Sequence, residues 1–180
     1  MTQNFLGLCT EGDLEGVQVA LLGGVDMNRR EQYGQTGLML ALEGRHTAVA
    51  RLLLEQEEID INICDRLGET ALHIAAWHAE NSEVLSILLA RPELTTVNVT
   101  GIRSGETPLW LAVSNRATPC VQVLLNDVRA NLNIKCGSVS PLMLAVKGNY
   151  LAGVDLLLAD PRVDLMTRDD YQRSEEEVIR

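Results

Sequence analysis

Aromatic residues are scarce in this 180-residue chain, at 3% with a single Phe. A core without aromatic bulk must be assembled from Leu, Ala, Val and Ile, and a hydrophobic content of 46% supplies them. Such side chains suit closely packed helices. Basic residues are also in the minority: 15 Lys and Arg against 25 Asp and Glu leave a formal net charge of −10 and a pI of about 4.7. A polyanion would repel such a chain, which argues against nucleic acid as a direct partner. No run of about 18 apolar residues occurs, as a membrane span would need. The N-terminal stretch MTQNFLGLCTEGDLEG has neither the basic start nor the apolar run of a signal peptide. The expected setting is intracellular, cytoplasmic or nuclear, without a membrane partner. The four cysteines (Cys9, Cys64, Cys120, Cys136) show no C-x-x-C pair, and their simplest reading is free thiols in a reducing compartment. The lone sequon Asn98-Val99-Thr100 is read as chance.

Catalytic constellations are missing as well. There are three histidines, and His73 and His78 stand five apart rather than the four that would align two metal ligands on one helix face. No phosphate-cradling glycine loop, dinucleotide fingerprint or nucleophile elbow is found. Carboxylates abound, yet nothing singles out a pair, and Glu55, Glu57 and Glu58 read as a solvated helix end. No catalytic, cofactor-binding or metal residues are assigned, and the chain is not expected to be an enzyme.

What is present is a repeat, the feature to seek before local structure is assigned. Triplets opening a Leu- and Ala-rich run begin at Thr36, Thr70, Thr107 and Ser140, so 34, 37 and 33 residues apart, and a degenerate fifth begins at Ser174. Each of the four has an Ala three residues after its Leu (Ala41, Ala75, Ala112, Ala145) and an aliphatic run further on, ending at Leu54, Leu89, Leu125 and Leu158. An apolar–Asn pair then follows at Ile61-Asn62, Val97-Asn98 and Leu132-Asn133, and Met166 replaces the Asn in the last copy; ahead of Thr36 the same pattern appears without its opening, from Leu8-Cys9 through Ala20-Leu21-Leu22 to Met27-Asn28. The apolar spacing argues for two short amphipathic helices per unit. Thr107-Pro108 and Ser140-Pro141 read as an N-cap followed by Pro at the first helical position. Gly34, Gly68 and Gly105 fall in tight turns that call for positive φ. One helix pair cannot bury its own apolar face, whereas a file of them makes one continuous core.

The copies resemble the ankyrin repeat family, whose motif runs roughly D-x-x-G-x-T-P-L-H-x-A-A, G-H-x-x-V-V-x-L-L-L and G-A-D-V-N. Residues 65–76, DRLGETALHIAA, match it most closely. Three departures stand out. Most copies carry an extra residue before the Asn, the motif His is replaced by Met39, Trp110 and Met143, and the stretch from Trp77 to Thr107 holds four extra residues. The resemblance implies an all-α solenoid of about five helix–turn–helix repeats in a single domain over 1–180. The repeats run at about 1–30, with a degenerate start, then 31–64, 65–101, 102–134 and 135–168. Residues 169–180 form a partial sixth repeat or a cap.

It also implies a protein–protein interaction module, a scaffold or adaptor that takes a protein or peptide on its concave face, made of turn tips and the exposed flank of the first helices. Carried over position by position, the tips are Gln32, Tyr33 and Gln35; Arg66, Leu67 and Glu69; Arg103, Ser104 and Glu106; and Cys136 and Val139. The flanks are Glu43, Trp77, His78, Ser114, Asn115 and Lys147. Tryptophan at the variable Trp77 position points to an interface hot spot or to a ring folded back by the insertion that follows it; Tyr33, Arg66 and Leu67 are expected to complete a patch with it. Trp110 is expected to pack into the core, and His73 to brace its turn. Asn62 lies in a context similar to that of hydroxylated ankyrin asparagines, with a structural Asn bonding the turn backbone as the plainer alternative. The chain is expected to be a monomer or part of a larger chain. The rival readings are a regulatory or targeting domain of a larger, possibly enzymatic, protein extending beyond residue 180, a small enzyme in its own right, and self-association through the ends of the stack.

Overall fold

The structure, a computed structural model, describes residues 4–102 and 105–166. The proposed sixth unit, Arg103 and Ser104 lie outside the described residues. Among the described residues ten α-helices follow one another in pairs: α1 (Phe5–Glu11) and α2 (Leu14–Leu22), α3 (Gly37–Glu43) and α4 (Thr47–Leu54), α5 (Ala71–Trp77) and α6 (Ser82–Ala90), α7 (Pro108–Ser114) and α8 (Thr118–Leu125), and α9 (Pro141–Lys147) and α10 (Leu151–Leu158). The first helices of the pairs pack on one another in one row, α1–α3–α5–α7–α9, and the second helices form a parallel row, α2–α4–α6–α8–α10. No β-strand forms among the described residues; the turn tips contribute only isolated bridges, such as Arg30 with Thr36 and Cys64 with Thr70.

The local causes of each inner helix repeat. Thr36, Thr107 and Ser140 hold extended backbone, and each side-chain oxygen accepts from the amide three residues on, at 3.4, 3.2 and 3.1 Å. That satisfies one of the amides a helix start leaves unpaired. Pro108 and Pro141 occupy the first turn, where no donor is needed. The alanines Ala41, Ala75, Ala112 and Ala145 are fully buried, which lets inner helices approach closely. Leu53, Leu88, Leu124 and Leu157 seal the outer row against them. Each such leucine contributes about 1.5–3 kcal/mol by burial.

The turn tips stack by backbone as well as by side chain. Arg66 N donates to Tyr33 O at 2.9 Å and Ile102 N to Leu67 O at 2.6 Å. Gly34 and Gly68 have φ of 89° and 75°, and a Cβ there would sit 3.0 Å from Arg66 N or Ile102 N. Glycine is therefore required twice over, by conformation and by the approach of the next tip.

On the far side of the stack, the asparagines form a second ladder. Asn28 Nδ2 donates to Glu58 O and Asn28 Oδ1 accepts from Asp60 N, both at 2.8 Å. Asn62 does the same with Glu93 O and Thr95 N, Asn98 with Arg129 O and Asn131 N, and Asn133 with Arg162 O and Asp164 N. The Asn thus clasps the loop of the next repeat rather than its own turn. The departures before the Asn have a structural use. Arg91 Nη1 reaches Leu54 O at 2.7 Å, Arg129 Nη2 reaches Leu89 O at 2.5 Å, and Arg162 Nη2 bonds Leu125 O. Each guanidinium meets carbonyls at the C-terminal end of an outer helix in the preceding repeat, where a cation is favoured.

Candidate functional site

Three inner helices and two tips converge on a groove of ≈ 240 Å³ on the inner-row side of the stack. Its floor is apolar: Ile74 on α5 and Leu111 on α7, both buried. One wall is the indole of Trp77, 41% exposed. Gln35 and Glu69, the residues just before the Thr36 and Thr70 caps, line it from the tips, and Glu43 closes it from the end of α3. Gln35 Nε2 donates to Glu43 Oε2 at 3.1 Å, which fixes both side chains across the mouth.

Two features of α5 aim Trp77 outward. In the second, fourth and fifth repeats the turn between paired helices places a residue in the left-handed region, Arg45, Arg116 and Asn149, at φ of 59°, 54° and 50°. The third repeat has one more residue there and forms a short 3-10 helix, Ala79–Asn81, instead. That insertion does not cover the ring. The carbonyl of Trp77 is held by Asn115 Nδ2 from the next repeat.

His73 is buried beneath the groove and links three elements. Its Nδ1 accepts from Thr70 N at 3.2 Å, completing a reciprocal cap, and its Nε2 faces Glu106 O at 3.3 Å in the next tip. Those partners require the proton on Nε2. Burial, its largest influence, pushes the imidazole below its ordinary pKa. Trp110 occupies the same place one repeat on and makes the equivalent link, its indole Nε1 donating to Val139 O at 3.2 Å. Glu106 and Val139 each precede a cap residue, so Trp110 is half-buried to bridge to the next repeat as well as to pack. His78, on the rim, is also pushed down, first by desolvation and then by Arg45. Glu69 is pushed up by partial burial and then by the nearby Asp65, Glu106 and Glu43. Both shifts favour the neutral imidazole, so the carboxylates set the sign of the groove.

Of the residues singled out from sequence, Gln35, Glu43, Glu69, Trp77 and His78 come together here. Tyr33, Arg66 and Leu67 do not line the groove; they sit along the tip ladder, where Arg66 and Gly34 border a separate cleft. The single patch expected around Trp77 is therefore two neighbouring surfaces. Glu106 is half-buried, with its carbonyl engaged by His73. Ser114, Asn115 and Lys147 are exposed at the ends of α7 and α9 and are not part of the groove lining. Sequence reasoning misses Ile74, Leu111 and His73 as groove residues because the motif assigns them to the core; only the spacing of Ile74 three residues before Trp77 hints that they share a face.

Nothing in this arrangement assembles a nucleophile with a base. Burial pushes the thiols of Cys9 and Cys120 up to about 12, so they stay protonated and unreactive at neutral pH. Among the described residues no cluster of three or more His, Cys, Asp or Glu is placed to hold a metal, and no helix is long and apolar enough to cross a membrane.

Helix pairs in single file, linked by turn tips and asparagines that each act on the next unit, define a helical-repeat solenoid. The family model described as ankyrin repeats (3 copies) matches residues 6–99 and 80–169. The chain belongs to the ankyrin repeat family. It is 28% identical over 158 residues to mouse Rabankyrin-5, covering 86% of this chain and 13% of that protein. It is 30% identical over 138 residues to the mouse B-cell lymphoma 3 protein homolog, covering 75% of this chain and 30% of that one. Human 2-5A-dependent ribonuclease shares 36% identity over 102 residues, 57% of this chain and 14% of the ribonuclease. The chain thus spans less than a third of the length of these relatives. Ankyrin repeats are in general non-catalytic modules of protein–protein interaction, and some relatives carry them as parts of enzymes.

Proposed function

We propose that the chain is a scaffold or adaptor module that binds an extended segment of a partner protein along its concave, inner-row face, with the Trp77 groove as the anchor point. The observation that carries this reading is a large aromatic ring left exposed over an apolar floor at a position fixed by the stack. Aromatic anchors in such settings supply a disproportionate share of binding energy. The tip residues Tyr33, Arg66 and Leu67 flank the anchor on one side, and Ser114, Asn115 and Lys147 extend the same face along the file. The module acts inside the cell, as a monomer or as part of a larger chain, without nucleic acid or membrane as a direct partner.

A second reading is supported by the short share of each relative that the chain spans: it serves as the regulatory or targeting part of a larger protein, as the similarity to a ribonuclease suggests. Both readings use the same face. The test is selection of peptides from a random display library on the folded chain, followed by affinity measurement on single-site variants. Trp77→Ala should weaken the selected peptides by about tenfold or more, while Val128→Ala, an exposed residue after α8 on the outer row, should leave them unchanged. Peptides indifferent to Trp77→Ala would remove the groove as the anchor.

A further inference from the structure

The proposed reading leaves open what the groove holds, and its chemistry is selective. The volume of ≈ 240 Å³ is below the roughly 300–1,000 Å³ of a small-molecule pocket and suits one long side chain. The exposed indole offers a π-face. Glu43 and Glu69 lie in the same lining, and Asp65 and Glu106 are close enough for Glu69 to feel them. Burial of His73 and partial desolvation of His78 favour their neutral forms. Arg45, the basic group that His78 senses, is paired with Glu80 at 3.6 Å on the outside of the turn. Among the described residues no basic side chain stands within ion-pair distance of Glu43 or Glu69. Partial burial first, and then the neighbouring carboxylates, raise the energy of an ionised Glu69, and a cation placed between the carboxylates and the ring offsets their repulsion. The apolar floor of Ile74 and Leu111 matches the methylene stem of a basic side chain, whose charged head then reaches the rim.

We infer that the Trp77 groove is a recognition site for a single basic side chain, lysine or arginine, of the bound peptide: the stem lies on Ile74 and Leu111, the cation rests against the indole, and Glu43 and Glu69 accept its hydrogen bonds. This rests on the reading of the concave face as a peptide-binding surface. A neutral aliphatic or an acidic side chain gains the floor but not the walls, so the site discriminates by charge.

The chain has two tryptophans, so its nitrogen-15-labelled form gives two indole N–H signals, and the one lost in Trp77→Phe belongs to the groove. The probe is a heptapeptide pool, blocked at both ends, with one central lysine and no other ionisable residue, beside matching pools with norleucine or glutamate at the centre. The lysine pool should shift the Trp77 signal, bind about tenfold more tightly than the norleucine pool, and weaken at high salt. Glu69→Gln and Trp77→Leu, both with unchanged helical circular dichroism, should each erase the preference. Equal binding of lysine and norleucine pools with the Trp77 signal moving in both would overturn the cationic site and leave the peptide-binding groove standing. Lysine-pool binding that leaves the Trp77 signal in place would overturn both, and so would no binding by any pool.

Discussion

Replacing Asn62 with alanine tests how one repeat holds the next. Asn62 Nδ2 donates to Glu93 O at 2.8 Å, and Asn62 Oδ1 accepts from Thr95 N at 2.9 Å. The same oxygen accepts from the hydroxyls of Thr95 and Thr96 at 3.1 and 3.4 Å. Two short bonds to main chain are each worth about 1 kcal/mol net. The Thr95 hydroxyl adds little, since it is exposed and can turn to water, and the Thr96 hydroxyl, though buried, sits at the long distance of 3.4 Å. The loss should be about 2 kcal/mol, with no cavity contribution because the site lies at the surface. In a chain of this size that corresponds to roughly 4–8 °C in Tm. Asn62→Asp keeps the acceptor but turns a carboxylate towards Glu93 O, so it should cost at least as much. Urea unfolding measures the free energy, and hydrogen exchange of the Thr95 amide reports on the junction itself. The junction couples the second repeat to the third, so the transition should also broaden. An Asn62→Ala protein within about 0.5 kcal/mol of the parent, with the Thr95 amide exchanging as slowly as before, would refute the clasp.

Two further predictions concern the bridge from α5 and α7 to the next tip. Trp110→Phe keeps the aromatic bulk but leaves Val139 O without its indole donor, at a cost of about 1 kcal/mol; Trp110→His should recover part of it, and a Phe variant at least as stable in urea as the His variant would count against the bridge. His73, held below its ordinary value of 6.5 chiefly by burial, binds its proton more readily in the unfolded chain, so stability should be full above about pH 7 and fall as pH drops through 6.5 towards the depressed folded value. His73→Met, the residue already found at positions 39 and 143, should flatten most of that slope between about pH 7 and about pH 5 in denaturant titrations, His78 leaving a smaller remnant of the same sign.

Much of the fold is legible along the chain. The Thr or Ser cap acts within about four residues of itself, and the small Ala and the terminal leucines recur at fixed offsets from it with helical spacing. Sequence spacing therefore locates them without knowledge of what lies alongside. The departures are visible too, but not their meaning. Met39, Trp110 and Met143 all replace the motif His, yet only Trp110 retains a donor for the next tip; the buried methionines simply fill space. The extra residues that lengthen most of these connections are conspicuous as insertions, and nothing local reveals that Arg91, Arg129 and Arg162 reach back to the preceding repeat. The groove is half legible: Gln35, Glu43, Glu69, Trp77 and His78 can be picked out as surface positions, while their separation from Tyr33, Arg66 and Leu67 cannot.

The sequence by itself determined the unit and its register, because caps, helical periodicity and turn glycines are short-range causes. Stacking decided everything that joins residues about 33 positions apart: which carbonyl an asparagine clasps, which helix end an arginine meets, and which carboxylates share a groove with Trp77. Those contacts depend on the distance and angle between neighbouring units. Both come from the packing of whole helix pairs rather than from any residue's own preference.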